Sequence, residues 1–137
     1  MIDKEIIKIA SNTENHGVLN NHTHFSKVKN AICGDEMKVY LIIEDNKVVN
    51  FKYQCKSCIY CQASVSLLTR TVMQAPIEKI VDFLSQASFF FDESFDQFKK
   101  INIRGIKDFK KIMNIKNISR KECLLLPFKT LSKALKL

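Results

Sequence analysis

The chain is poor in the features that punctuate or divide a polypeptide. Three glycines and two prolines occur in 137 residues, and no linker, internal repeat or low-complexity tract interrupts them. One domain spanning residues 1–137 is therefore expected. No stretch approaches the roughly 20 consecutive apolar residues that cross a bilayer. The opening "MIDKEIIKIA" mixes acids and lysines where a signal peptide would carry a basic and then an apolar region. The expectation is a cytoplasmic protein with no membrane partner, in a compartment where thiols stay reduced. Five cysteines are an odd number, so a complete disulfide framework would leave one over. A second C-x-x-C, which a zinc ribbon would place some 15–20 residues from the first, is also missing. So is the βαβ pattern that surrounds a thioredoxin-type motif.

What is present suits a globular core. Apolar residues make up 46% of the chain and charged residues 26%. A domain of this length buries roughly two thirds of its unfolded surface. It needs no metal to hold it together, so any metal would be functional rather than structural. The net charge of +8 is uneven: residues 101–137 carry 10 basic and 2 acidic side chains, the whole excess. Such a segment could dock a nucleic acid or an acidic protein, or it could simply solvate helix faces with lysine. No aromatic side chains are interleaved there as a base-stacking platform requires, so no nucleic-acid partner is expected.

Periodicity assigns the elements. Ile6, Ile7 and Ile9 predict a short first helix over 3–10, ended by the Asn- and Gly-containing "SNTENHGVLNN". "MKVYLIIE" alternates Met37, Val39, Leu41 and Ile43 against Lys38, Tyr40, Ile42 and Glu44. Asp45-Asn46 then turns into "KVVNFKY", where Val49, Phe51 and Tyr53 are expected to share a face. "HFSKVKNAI" supplies a third strand. Beyond Cys61 the period is helical through Val65, Leu68 and Val72, with Leu67 beside them. Pro76 opens the next helix with Ile77, Ile80, Val81 and Leu84 as its apolar face. "SFFFDESFDQF" closes that helix and opens another, its phenylalanines forming core. Ile106, Phe109, Ile112 and Met113 follow Gly105 at helical spacing. Ser119 and Glu122 have the form of a capping box for a last helix carrying Leu125, Phe128, Leu131 and Leu135. Pro127 requires that helix to begin close to it. The order predicts an α+β fold: a small three-stranded antiparallel sheet with helices packed mainly on one face.

The cysteines fall at the joints of this arrangement: Cys33 between strands, Cys58 between strand and helix, Cys123 at the start of the last helix. Loops and helix starts are where a scaffold presents reactive groups, and helix N-termini favour the thiolate. Any one cysteine could instead be a small buried hydrophobe. In "CKSCIYC", however, Cys55, Cys58 and Cys61 are spaced as thiols that can share an ion. His16, His22 and His24 lie in polar stretches and are expected to face solvent.

"AICGD" at 31–35, "CIYCQAS" at 58–64 and "RKECLLLPFKTL" at 120–131 together resemble the iron–sulfur cluster assembly scaffolds, the IscU, SufU and NifU N-terminal domain family. "NHGVL" at 15–19 is similar to the family's N-terminal stretch. The likeness covers nearly the whole chain, and the family fold agrees with the α+β order. The resemblance implies Cys33, Cys58 and Cys123 as metal ligands and Asp35 as a fourth, more labile one. It also implies a transient [2Fe–2S] cluster, or Zn²⁺ or Fe²⁺, as cargo or resting ion. Sulfur would arrive as a persulfide from a cysteine desulfurase, and the cluster would leave to apo iron–sulfur proteins. Such a protein is a scaffold or at most a sulfur acceptor, not a catalyst with turnover. Cys123, beside Arg120 and Lys121, is the candidate acceptor thiol. The long interval from Cys58 to Cys123 and the place of Arg120 resemble the SufU branch. Cys55 and Ser57 stand where the family has glycines, so a strained loop before Cys58 is expected. Cys61 stands where the family usually has serine. Cys55 and Cys61 are expected near the site as auxiliary thiols. Two other classes fit part of the pattern: a structural-zinc nucleic-acid module and a small thiol redox protein.

Overall fold

A computed structural model describes residues 4–31, 34–91 and 104–137. Helix α1 (Lys4–Ala10) precedes strands β1 (His24–Lys29), β2 (Glu36–Glu44) and β3 (Lys47–Lys56). Helices α2 (Ile59–Val72), α3 (Ile77–Ser85), α4 (Ile106–Ile112) and α5 (Lys121–Ala134) follow, with short 3₁₀ segments before α4 and before α5. The strands form one antiparallel sheet in the order β1-β2-β3. The expected α+β architecture is therefore what the chain adopts. No helix among the described residues is long and apolar enough to cross a membrane.

The β2–β3 hairpin closes on Asp45 and Asn46, both at positive φ (51° and 61°). Short polar side chains tolerate that geometry, and two such residues match the twist of the flanking strands. Alternation along β2 buries Met37, Val39 and Leu41 completely. On β3 the register shifts: Ile42 faces Asn50 but Ile43 faces Val48. Val49 is thus the extra residue of a bulge, and Val48, not Val49, joins Phe51 and Tyr53 in the core. A strict period of two cannot foresee that switch.

Helices α2 and α5 lie across the inner face of the sheet, and α1 packs on α2. Helix α2 is buried on nearly every side, hydroxyls included. Those hydroxyls are satisfied internally: Ser64 Oγ donates to Leu124 O (2.6 Å) and Ser66 Oγ to Asn12 O (2.9 Å). Ser26 Oγ of β1 donates to Thr130 O of α5 at 2.5 Å, pinning helix to sheet. Gly105, at φ 80°, starts α4 so close to α2 that a Cβ there would lie 2.9 Å from Thr71 Oγ1. The far end of the core is an aromatic cluster in which Phe83 meets Phe90, Phe109 and Phe128 at ring separations of 5.4–5.8 Å. Phe83, not Val81 or Leu84, is the fully buried partner of Ile80 on α3. The phenylalanine-rich stretch is core at Phe90 and Phe91, while Phe89 is exposed. The helix expected after it lies outside the described residues.

The start of α5 differs from the capping-box expectation. Ser119 sits inside the 3₁₀ segment Ile115–Arg120, and Arg120 is the N-cap with no side-chain cap bond. Buried Asn117 donates to Ile112 O at 2.8 Å. That bond ties the 3₁₀ turn to the end of α4, and the chain passes straight from turn to helix. Pro127 is the seventh residue of α5 rather than near its first. A proline there withholds a donor from the preceding turn. Elsewhere in that turn Leu124 O accepts from Ser64 Oγ and Leu126 O from Thr130 Oγ1 (2.8 Å), side-chain bonds independent of the one the proline withholds.

Candidate metal centre

Three segments meet at one end of the sheet. The β1–β2 loop is tightened by Asn30 N–H donating to Asp35 O (2.7 Å) and Gly34 N–H to Asn30 O (2.8 Å). Gly34 takes φ 75° with open space around the absent Cβ. Glycine is needed there for its backbone freedom rather than for clearance. It delivers Asp35 to the site with its side chain buried and Oδ2 without a hydrogen-bond partner among the described residues. Cys58 is the N-cap of α2 (φ −71°, ψ 168°) and makes no side-chain cap bond, so its sulfur is directed elsewhere. Cys123 is the third residue of α5 and is buried.

The carboxylate of Asp35 and the sulfurs of Cys58 and Cys123 all lie within 4.8 Å of one another. Tetrahedral ligands 2.3 Å from a zinc ion stand about 3.8 Å apart, so a small closing movement would bring this set around one ion. The chemistry of the donors agrees. Two thiolates suit a soft or borderline metal, and an otherwise unpartnered buried carboxylate oxygen is stabilised by a cation. Both cysteines also sit at the positive ends of 14-residue helices, which favour negative charge. Arg120 lies over the Tyr60 ring, 5.2 Å to its centroid, and links the first turns of the two helices. Lys121 lies over Phe91 at 5.7 Å.

Cys33 lies outside the described residues. Cys55 and Cys61 are near the group but not in it. Cys55 is an ordinary strand residue opposite Met37, and neither it nor Ser57 takes a positive φ. Replacing the family's glycines has therefore not strained the loop, because this backbone path suits any residue. Cys61 is fully buried in the first turn of α2. Burial pushes both thiols above the ordinary thiol range, and the neighbouring charges of Asp35 and Cys58 add to the rise. The Ser57 hydroxyl opposes it in both cases, since it can donate to either sulfur as a thiolate. Its Oγ is buried and makes no hydrogen bond of ordinary geometry among the described residues. Ser57 and Gln62, whose Nε2 donates to Ser57 O at 3.0 Å, are the loop residues that sequence reasoning passed over. Gln62 was visible as part of "CIYCQAS". His16 and His22 are exposed and His24 is half-buried; none joins a metal-competent group among the described residues.

Comparison with known proteins gives this arrangement its class. Residues 1–89 match the model of the NifU-like N-terminal domain family, and the chain belongs to that family. The Thermotoga maritima iron–sulfur cluster assembly scaffold protein IscU is 33% identical over 99% of this chain and 93% of its own length. Two solved structures share the fold. FiSufU from Fervidobacterium islandicum, described as a scaffold protein for the SUF system, superposes with a TM-score of 0.80 at 24% identity, covering 98% of this chain and 96% of that one. A NifU-like N-terminal protein from Brucella abortus gives 0.78 at 23%, covering 98% and 91%.

Proposed function

We propose that this protein is an iron–sulfur cluster assembly scaffold whose metal ligands are Cys33, Asp35, Cys58 and Cys123. The observation that carries the reading is the approach of Asp35, Cys58 and Cys123 to within 4.8 Å, although 88 positions separate the first from the last. Neither a zinc module built on a local C-x-x-C nor a dithiol redox couple calls for such a set. Membership of the NifU-like family and the likeness to an IscU scaffold support it further.

In this reading iron and sulfur are cargo. The acceptor thiolate attacks the outer sulfur of a persulfide on a cysteine desulfurase; the S–S bond breaks, the donor leaves as a thiolate, and the acceptor carries the persulfide. Cys123 is the assigned acceptor: it lies in the first turn of α5, with Arg120 and Lys121 just before it. Asp35 gives one hard ligand among sulfurs, which makes a poorer and more releasable bond to iron than a fourth thiolate. Apo iron–sulfur proteins are the recipients. The resting ion is Zn²⁺ or Fe²⁺, the cluster is [2Fe–2S], and the long interval before Cys123 favours the SufU branch. The deciding experiment is anaerobic purification with metal and sulfide analysis of the wild type and of the Cys33, Cys58 and Cys123 alanine variants. Near-stoichiometric metal in the wild type that is lost in all three variants is the expected result. Retention in every variant would refute the ligand set.

A further inference from the structure

Strand alternation sorts charge as well as hydrophobicity. The face of the sheet turned away from α2 and α5 carries Lys27 and Lys29 of β1, Lys38 of β2, and Lys47, Lys52 and Lys56 of β3, against two acids, Glu36 and Glu44, the latter opposite Lys47 at the hairpin end. Glu36 pairs with Lys27 at 3.5 Å. Lys27 and Lys38 stand directly opposite each other, an unfavourable cross-strand pair in isolation. Linear charge counting hides this face, because residues 1–100 are neutral overall.

An aromatic anchor adjoins the lysines. Phe25 is 45% exposed and leans on Tyr40, 5.1 Å between ring centroids, with His22 at 5.7 Å. The lysine-rich end of the face runs into the candidate metal centre: Lys56 is two residues before Cys58, and Lys29 and Lys56 flank Glu36, the residue after Asp35. An exposed ring offers an apolar anchor, and the lysines around it form a charged rim that steers a partner of opposite charge. Single-stranded nucleic acid fits less well, since it wants a row of exposed rings and Tyr40 is only 8% exposed.

We propose that the outer sheet face is a docking surface for a protein partner with an acidic face, whose carboxylates meet the lysines and whose apolar side chain covers Phe25. This deepens the scaffold reading and rests on it only for what the partner brings or removes at the adjacent centre. The test uses fluorescent poly-L-glutamate, a Glu/Tyr copolymer and poly-dT of matched charge, titrated with full-length protein at low salt. Lys38→Glu/Lys52→Glu should weaken poly-L-glutamate binding roughly tenfold, against less than about twofold for Lys107→Glu/Lys111→Glu in α4, which makes the same change in net charge. The copolymer should bind more tightly than poly-L-glutamate to the wild type, and Phe25→Ala should abolish that advantage. Equal weakening by the two double variants, tighter binding of poly-dT than of poly-L-glutamate, or a copolymer advantage that survives Phe25→Ala would overturn the proposal. Circular dichroism and metal content are followed in parallel. A wild type that binds poly-L-glutamate on this face but holds no metal would count against the scaffold reading and leave the docking surface standing.

Discussion

Cys58 and Cys61 are three residues apart, yet they occupy different chemical worlds, and Cys123 and Cys55 divide the same way. Cys58 and Cys123 bring their sulfurs to Asp35 at the amino ends of two packed helices. Cys55 is a strand residue and Cys61 a buried helix residue, and burial disfavours the thiolate of each. Spacing alone would pair Cys55 with Cys58, or Cys58 with Cys61, as a local chelate. The fold instead pairs Cys58 with a residue from the far end of the chain. A thiol's role here follows from which element carries it and what charge faces it, more than from its distance to the next cysteine in sequence.

The largest expected effect tests that division directly. Cys58→Ser and Cys123→Ser should each reduce bound metal, measured by elemental analysis after dialysis, from near-stoichiometric to near zero. Cys55→Ser should leave it almost unchanged; metal that persists in Cys58→Ser would mean that Cys55 or Cys61 steps in as a ligand. Next in size, Cys61→Ala should remove a fully buried side chain and lower stability by about 1–2 kcal/mol. It would appear as a lower urea midpoint at unchanged slope, with metal content retained.

A smaller effect concerns pH in the metal-free protein. Burial keeps the Cys61 thiol protonated in the folded state well above the pH at which the unfolded chain loses that proton, about 8.5. A raised folded-state pKa makes its contribution complete below about pH 8.5 and diminishing as pH climbs above it. Melting temperatures should therefore fall on the alkaline side, and fall less in Cys61→Ala. Equal slopes for the two proteins would show that the thiol is not held in this way.

The smallest effect is a control close to Cys123. Lys129 binds Glu122 at 2.8 Å, and that hydrogen bond holds the Glu122 carboxyl below its usual range. Both side chains are more than half exposed, so Lys129→Ala should lower stability by about 0.5 kcal/mol or less. The depressed carboxyl places this contribution above the ordinary glutamate range and removes it as pH falls through that range. Metal content should not respond.

Much of the fold was legible because it rests on local rules. The helix, three strands and later helices appear in the expected order, and the Asp45–Asn46 turn forms where two polar residues interrupt alternation. Failures came where a contact outside the expected pattern outweighed an intrinsic preference. The bulge at Val49 answers the register of β2, and Asn117 draws the start of α5 into a 3₁₀ turn that bypasses Ser119. Pro127 lies inside α5, where burial of its neighbours Leu124, Leu126 and Phe128 in the core outweighs the one helix hydrogen bond its ring withholds. Phe83 escaped notice because its burial depends on Phe90, Phe109 and Phe128.

By itself the sequence determined the element order, the apolar faces, and the location of Asp35, Cys58 and Cys123 at the ends of elements. Hydrophobic periodicity and turn chemistry act over a few residues, and a linear reading sees that range. Only the tertiary structure decided that these three groups share one small volume while Cys55 and Cys61, close by, are not part of it. It alone also placed six lysines from three strands on a common face. Proximity between remote segments arises from the packing of helices on a sheet, and no count along the chain contains that information.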